Sequence, residues 1–555
     1  MSITVEQRIQ SWLEGPYDPE TKAEIRRLQQ VDPKGLSDAF FKDLSFGTGG
    51  MRGIMGIGTN RMNIYTIRRA TQGLANAIKM QPGTDHTVFI GYDVRHHSRE
   101  FAIETAKVFS GNGMKVLLSK DICPTPLVSF ACRHYGCSAA VMITASHNPP
   151  KYNGYKVYWN DGCQVVAPHD EEIMEEVKKI KSPTQVLMGS QYEEIGSEID
   201  QAYLAELKKL QMLPNLSKQS LSIIYTNLHG TGIRLIPKAL KEWGYTNLNL
   251  VEKQLPLDGN FSFAPSPNPE EEKALKLGTL QLAEERADIL IATDPDADRI
   301  GVADRTTRFT GNQMACLCLY HICKTLKEKG EFPENAAFIK TIVTTELFKK
   351  IGESFGGKCI DVLTGFKYIG ELIGIWEKTF DAYQYLFGAE ESYGCLFGTF
   401  VRDKDAISAA CLIAEIAASA KEKGRTLSDL LQEIYAEYGI HRESLTNLVF
   451  SDSQAGMEKM ANLMKILRET PPAKIGNQRV ILFEDYLHGK DGLPPSDVLR
   501  FWLEDESKLV IRPSGTEPKI KIYAEVVGVE ISSCDARLKE LVEAFQREIS
   551  TGRKN

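Results

Sequence analysis

The chain has 555 residues, 42% of them hydrophobic and 25% charged, a balance that excludes a disordered or fibrous protein. Its 66 basic and 73 acidic residues leave a net charge of -7 with no long basic block, so nucleic acid is not an expected partner. No run is apolar for long enough to span a bilayer, and MSITVEQRIQSWLEG carries acids where a secretory signal needs an apolar core, which predicts a cytoplasmic protein with no membrane partner.

A chain this long is expected to form roughly three to five domains. In chain order, short β-rich runs alternate with helical periods three times over, the pattern of α/β domains. In the first block, residues 1–195, the runs 88–93 (VFIGYD), 115–119 (KVLLS) and 139–146 (AAVMITAS) read as buried strands, and 100–110 reads as a helix. The second block, 196–310, has strands at 222–227 and 287–293 with an acidic helix at 269–285. The third, 311–430, has strands at 337–344, 358–363 and 383–387. The tail, 431–555, has strands in succession at 479–484, 498–503, 508–512 and 519–526, then a helix at 534–549, which predicts an α+β domain. The fold class expected is therefore three consecutive α/β domains with mixed sheets and a C-terminal α+β domain around a central cleft. The 11 cysteines are scattered and form no CxxC pair, as expected of reduced, buried thiols.

Polar clusters follow the strands. Thr293-Asp-Pro-Asp-Ala-Asp-Arg299 places Asp294, Asp296 and Asp298 at alternate positions after an apolar run. Carboxylates this close repel one another unless a cation neutralises them, and hard oxygen ligands suit Mg²⁺. An EF-hand is excluded, because Arg299 stands where that loop needs glycine and Arg305 where it needs an acid. A solvated acidic turn and an aspartyl-nucleophile phosphatase stay open on these residues alone. Thr144-Ala-Ser-His-Asn-Pro149 puts Ser146 at a strand end, usually the place of a turn residue or helix cap. It lacks the glycines of a hydrolase elbow, while a phosphoserine there could share a Mg²⁺ with the three aspartates. Lys156 in the segment that follows reads as a base, a phosphate contact or a solvated surface group. Gly388-Ala-Glu-Glu-Ser-Tyr-Gly394 offers carboxylates and a hydroxyl suited to sugar hydroxyls, and Arg512-Pro-Ser-Gly-Thr-Glu-Pro-Lys519 offers cations, hydroxyls and loop N–H groups suited to a phosphate. Phe46-Gly-Thr-Gly-Gly-Met-Arg-Gly53 has Arg52 where a dinucleotide fingerprint needs glycine, so no NAD site is expected.

Taken together and in this order, FGTGGMRG, TASHNP, DPDADR, GAEESYG and RPSGTEPK resemble the α-D-phosphohexomutase superfamily over nearly the whole chain, and within it the phosphoglucomutase and phosphomannomutase branch with phosphopentomutase-like and glucose 1,6-bisphosphate-forming members. The resemblance implies four domains around a cleft. It implies Ser146 as phosphoserine with His147 beside it, Arg52 near the phosphoserine, and one Mg²⁺ per chain held by Ser146, Asp294, Asp296 and Asp298. Arg299, Lys367, Glu390 and Ser392 would meet the sugar phosphate, with Lys367 in the loop Thr364-Gly-Phe-Lys367. Arg512, Ser514, Gly515, Thr516 and Lys519 would bind phosphate. Tyr393 stands where many members have other residues.

The activity implied is a mutase reaction on glucose 1-phosphate and glucose 6-phosphate. Phospho-Ser146 gives its phosphoryl group to the free hydroxyl, with Lys156 as base, and a 1,6-bisphosphate turns in the cleft before the other phosphate is taken back. Glucose 1,6-bisphosphate would serve as activator, sugar phosphates as the small-molecule partners, and the chain would be a monomer or homodimer. Mannose or pentose phosphates as substrates, bisphosphate synthesis, and a non-catalytic sugar-phosphate sensor are the alternatives.

Overall fold

Apolar β-branched runs become buried strands in four successive regions of the computed structural model, which describes residues 4–47, 50–451, 454–514 and 519–550. The chain divides into two compact units. One comprises Met1–Gly311, Gly365–Gly388 and Ser392–Thr426; the other comprises Asn312–Thr364, Ala389–Glu391 and Leu427–Asn555.

The first unit begins with three helices, Val5–Glu14, Pro19–Val31 and Pro33–Phe40, capped by the side chains of Thr4, Asp18 and Asp32. Proline opens the second and third, where its missing N–H has no partner to lose. A seven-stranded sheet follows, in the order Phe46–Gly47, Gly50–Ile54, Tyr152–Trp159, Ala139–Ile143, Thr87–Tyr92, Lys115–Ser119, Glu193–Ile195. Its central strands run parallel and are buried, as strands covered on both faces must be. Tyr152–Trp159 joins Ala139–Ile143 antiparallel, with Lys156 opposite Met142 and Gly154 opposite Arg52. Arg52, Gly154 and Lys156 thus share one face.

A five-stranded sheet in the same unit runs Arg308–Phe309, Ile300–Asp304, Ile289–Thr293, Ile223–Thr226, Leu248–Leu250. Ile289–Thr293 is parallel to Ile223–Thr226 and antiparallel to Ile300–Asp304, with Thr293 opposite Ile300. The three aspartates therefore occupy the tip of a β-hairpin.

In the second unit, Ala336–Thr341 pairs in parallel with Lys358–Val362 and brings Lys340 opposite Asp361. The C-terminal part is a six-stranded sheet in the order Ile440–Val449, Lys519–Gly528, Lys508–Pro513, Leu499–Leu503, Gln478–Asp485, Lys474–Ile475. Its strands pair antiparallel and are accompanied by the helices Gln454–Glu469 and Ile531–Ser550. The mixed α/β architecture with an α+β tail is the fold class expected.

Several boundaries differ from expectation. The strand expected over 337–344 stops at Thr341, because Thr341 and Thr344 join hydroxyls across a turn at 2.9 Å and Thr345 caps the helix Glu346–Ser354. The acidic helix begins at Glu272 rather than 269, since 266–271 is a turn closed by Ser266 donating to Glu271 at 2.7 Å. The run 139–146 is strand only to Ile143. The strand Tyr152–Trp159 has no period-two signature, because Asn153 and Lys156 are polar yet buried. All 11 cysteines are free and buried, as expected.

Candidate active site

Ser146 lies just beyond the strand Ala139–Ile143 with φ 52, a left-handed conformation that costs an L-residue roughly 1–2 kcal/mol. The surroundings impose it. The buried guanidinium of Arg95 donates to the carbonyl oxygens of Ser146 at 2.5 Å, Pro149 at 3.0 Å, Tyr152 at 3.0 Å and also Asn148. Asp93 anchors this plug through an ion pair to Arg95 at 3.2 Å, and accepts from Thr144 Oγ1 and Ser98 Oγ at 2.7 Å each. Phe261 lies against the guanidinium, with its centroid 5.0 Å away. A single cation thus gathers four carbonyls into one loop and presents the serine hydroxyl outward.

That hydroxyl meets the second loop. Ser146 Oγ donates to Asp294 Oδ2 at 3.0 Å and lies 3.2 Å from His147 Nδ1. Burial, and then the charges of Arg299 and Arg52, push the His147 imidazole well below its ordinary pKa, so it is neutral at pH 7. Arg52 reaches the same loop, with Nη1 donating to Asn148 Oδ1 at 3.2 Å.

The hairpin tip that carries Asp294, Asp296 and Asp298 is fully inside the protein, with exposures of 0%, 0% and 2%. This excludes the solvated-turn reading. Ala297 adopts φ 53, and Gly230 lies so close to the tip that a Cβ there would stand 2.4 Å from Pro295 Cα. Thr231 N donates to the Pro295 carbonyl at 2.8 Å, and Thr125 binds Asp296 through both its N–H and its hydroxyl, at 2.8 and 2.7 Å. Asp294 Oδ1 accepts the amides of Asp298 and Arg299 at 3.1 and 3.0 Å.

Two cations balance part of this negative charge. Lys156 Nζ donates to Asp296 at 2.8 Å and to Asp298 at 3.0 Å, and is 1% exposed, which excludes a surface role. Lys404 Nζ lies 3.3 Å from Asp298 and 3.3 Å from Asp403. Burial, reinforced by Asp296 and Asp298, drives the Asp294 carboxyl well above the usual carboxylate range. Asp298 is buried too, but Lys156, Lys404 and Arg299 outweigh that burial and hold it well below. Asp296 Oδ1 and Asp298 Oδ1 remain buried with no hydrogen-bond donor, a costly arrangement for an anionic oxygen. One ligand atom from each of the three aspartates lies within 4.8 Å of the others, and among the described residues this is the one His, Cys, Asp or Glu group with metal-binding geometry. Donorless carboxylate oxygens converging in this way fit a hard divalent cation such as Mg²⁺.

The other expected site residues divide between the units. Arg299 donates to Glu270 at 2.6 Å. Lys367 opens the helix Lys367–Lys378 and pairs with Asp170 at 3.3 Å, and Ser392 also belongs to the first unit. Glu390 is buried in the second unit, as part of its 389–391 segment. There Arg512 shares an electrostatic neighbourhood with Tyr523, whose phenol is raised by burial and by Glu391 against the opposing pull of Arg512. Ser514 N donates to the Lys519 carbonyl at 2.8 Å, and the Gly515 and Thr516 assignments lie outside the described residues.

Sequence reasoning missed Arg95, Asp93, Thr125, Asp403 and Lys404. Four of these had a signal: Asp93 and Arg95 closely follow a buried strand, and Asp403 and Lys404 lie in Arg402-Asp-Lys-Asp405, a charge cluster just before the helix Ala406–Glu422.

Family models agree with this layout. The alpha/beta/alpha domains I, II and III of phosphoglucomutase/phosphomannomutase match residues 43–184, 201–308 and 310–438, and the C-terminal domain matches 447–541. A phosphoglucomutase of Staphylococcus haemolyticus is 37% identical over 507 residues, which cover 87% of this chain and 90% of that protein. One from Staphylococcus aureus strain MSSA476 is 35% identical over 538 residues, covering 93% and 95%. Among solved structures, the open form of the Paramecium phosphoprotein pp63/parafusin, a phosphoglucomutase, superposes with a TM-score of 0.71 at 19% identity over 92% of this chain and 96% of that one. A phosphoglucomutase/phosphomannomutase family protein from Burkholderia thailandensis gives 0.68 at 18% identity, over 91% and 98%. The chain belongs to the phosphoglucomutase/phosphomannomutase family of intramolecular phosphotransferases.

Proposed function

We propose that this chain interconverts glucose 1-phosphate and glucose 6-phosphate through a phosphoserine at Ser146 and a glucose 1,6-bisphosphate intermediate. The observation that carries the reading is the approach of Ser146 Oγ to Asp294 at 3.0 Å, beside two carboxylate oxygens that have no donor. The relatives at 35–37% identity that bear the name phosphoglucomutase support glucose over other sugars.

Asp294, Asp296 and Asp298, with an oxygen of phosphorylated Ser146, would hold one Mg²⁺. Bound there, the ion would supply charge stabilisation to the phosphoryl group in flight. The chain's own groups do the remainder. Arg95 fixes the serine loop so that the nucleophilic oxygen needs no reorganisation during transfer. Neutral His147 offers Nδ1 beside Oγ, and Arg52 adds positive charge on the Asn148 side. Lys156 is the proposed base. Burial disfavours its ammonium, but Asp296 and Asp298 outweigh that and raise its pKa in the serine form, so it would release its proton only when those charges are engaged elsewhere. Arg299, Lys367, Glu390 and Ser392 are assigned to the sugar phosphate; Arg512, Ser514, Gly515, Thr516 and Lys519 are assigned to the phosphate that is not being transferred.

We also propose domain boundaries near residues 195, 310 and 430, a cytoplasmic location and a monomer or homodimer. No helix among the described residues is long and apolar enough to cross a membrane. The test is formation of glucose 6-phosphate from glucose 1-phosphate with Mg²⁺ and a trace of glucose 1,6-bisphosphate. A fast Mg²⁺-dependent rate supports the assignment. A slow rate with glucose and a fast one with mannose or ribose phosphates moves the substrate within the family, and no turnover with any of them favours a sensor.

A further inference from the structure

Arg52 belongs to the strand Gly50–Ile54, whose outer neighbour is the two-residue strand Phe46–Gly47 at the edge of the seven-stranded sheet. The inner pairing with Tyr152–Trp159 covers four residues and sets the register of Arg52, while so short an edge pairing adds little hold on the outer side. The family match starts at residue 43, so the helices Val5–Glu14, Pro19–Val31 and Pro33–Phe40 lie ahead of the matched domain. They form a small body with its own core of Trp12, Ile25, Leu36, Ala39 and Phe40.

This body grips the loop 55–63, which continues the Arg52 strand. Asn60 N donates to Ala39 O at 2.9 Å, Leu44 N to Thr59 O at 3.0 Å, and Thr59 Oγ1 to Lys42 O at 2.8 Å. Arg61 pairs with Asp38 at 2.5 Å, and Ile57 packs into the helical core. Gly58, with φ +123, runs so close that a Cβ would stand 2.3 Å from Ala39 O. The loop is tied back to the strand in turn: Met62 N donates to Ile54 O at 2.9 Å, and Gly56 N to Met62 O at 3.1 Å.

We infer that the three N-terminal helices are a clamp that holds Arg52 at the Ser146 loop, with Gly58 and Thr59 as positioning residues that act through the strand Gly50–Ile54. The inference rests on the proposed place of Arg52 in the active site. It makes an appended helical body part of the catalytic geometry although none of its side chains reaches the reacting atoms.

A double-mutant cycle tests it. Gly58→Ala should lift the loop from the Ala39 carbonyl and lower kcat about tenfold, as a sub-ångström misplacement of a site residue does. In an Arg52→Ala background the same change should cost less than about twofold, because the group it misplaces is already gone. Equal losses in both backgrounds, or none in the unaltered one, overturn the clamp. An Arg52→Ala protein of undiminished rate sinks the placement of Arg52 and the clamp with it, whereas a slow one with additive losses sinks the clamp alone. Should Gly58→Ala not accumulate folded, Thr59→Val carries the same cycle. Hydrogen exchange supplies a readout independent of activity: the amides of Gly56 and Met62 should exchange faster in either variant, and unchanged exchange contradicts the clamp.

Discussion

Two clusters of buried charge, one in each unit, differ in how completely they are paired. In the second unit Lys340 Nζ sits 2.9 Å from Glu346 and 3.0 Å from Asp361, Arg500 joins Asp361 at 2.8 Å and Glu484 at 2.5 Å, and Lys508 meets Glu346 at 2.6 Å and Glu525 at 3.1 Å. His441 completes the chain on Glu525 at 2.7 Å. Every carboxylate named there has a cation within 3.1 Å, Glu525 Oε2 included although it accepts no hydrogen bond, and Lys508 also donates to the Thr344 carbonyl at 2.9 Å. In the first unit Lys156 takes Oδ2 of both Asp296 and Asp298 and Lys404 shares that of Asp298, while the Oδ1 atoms of the two carboxylates have no hydrogen-bond donor, Arg299 Nε lying 3.9 Å from that of Asp298. Neither buried charge nor a single donorless oxygen marks a site by itself: Glu525 Oε2 lacks a donor too but lies 3.1 Å from Lys508, whereas the three aspartates of the hairpin tip bring one oxygen each within 4.8 Å of the others, an arrangement that suits a divalent cation.

The contrast is sharpest for substitutions within the first cluster. Ser146→Ala should lower turnover by at least about 10³-fold while leaving the melting temperature close to that of the unaltered chain, since it removes the hydroxyl proposed to carry the phosphoryl group. A coupled assay and a thermal melt check both halves. Asp296→Asn should cost about 10²-fold in kcat, as loss of one electrostatic stabiliser does, and should abolish the rise in melting temperature on adding Mg²⁺. A full Mg²⁺-dependent shift in that variant would place the ion elsewhere.

The second cluster should respond in the opposite sense. Lys508→Met leaves Glu346 and Glu525 buried without one of their cations, and is expected to destabilise the second unit by about 3–5 kcal/mol. Its kcat, measured on folded protein, should stay near the unaltered value, and denaturant unfolding checks the loss. The smallest effect is one of pH. Glu525 is buried, but Lys508 and His441 outweigh the burial and hold its pKa down to about 2, below its ordinary value of 4.5. A lowered carboxylate pKa stabilises in full above the ordinary value, and that contribution fades as pH falls from about 4.5 toward 2. Glu525→Gln should flatten this acid limb of the melting curve, and an unchanged acid limb would remove Glu525 from the network.

How much of this was legible in the sequence follows from how each residue reaches the site. Asp294, Asp296 and Asp298 are contiguous and follow an apolar strand, so their chemistry could be read directly. Ser146 needed the company of other motifs, because a serine at a strand end is ordinary. Lys156 could not be told from a surface lysine until Tyr152–Trp159 proved to be an inner strand with the ammonium 1% exposed. Thr125 stayed hidden, and Arg95 and Lys404 could be seen as charges near strand and helix ends but not assigned to the site, because each contacts residues far along the chain and spacing carries no record of such contacts. Fold class was legible from alternation, but boundaries near Thr341 and Glu272 were set by side-chain turns that periodicity does not see.

The central claim is that Ser146, rather than an aspartate of the hairpin tip, carries the phosphoryl group. Its most direct test is the intact mass of the chain after incubation with glucose 1,6-bisphosphate and Mg²⁺, followed by peptide mapping. The phosphoserine mechanism requires one added phosphoryl group, stable to acid and confined to the peptide containing Ser146. A phosphoryl group on the peptide containing Asp294, or continued turnover by a Ser146→Ala chain that takes up none, would contradict it.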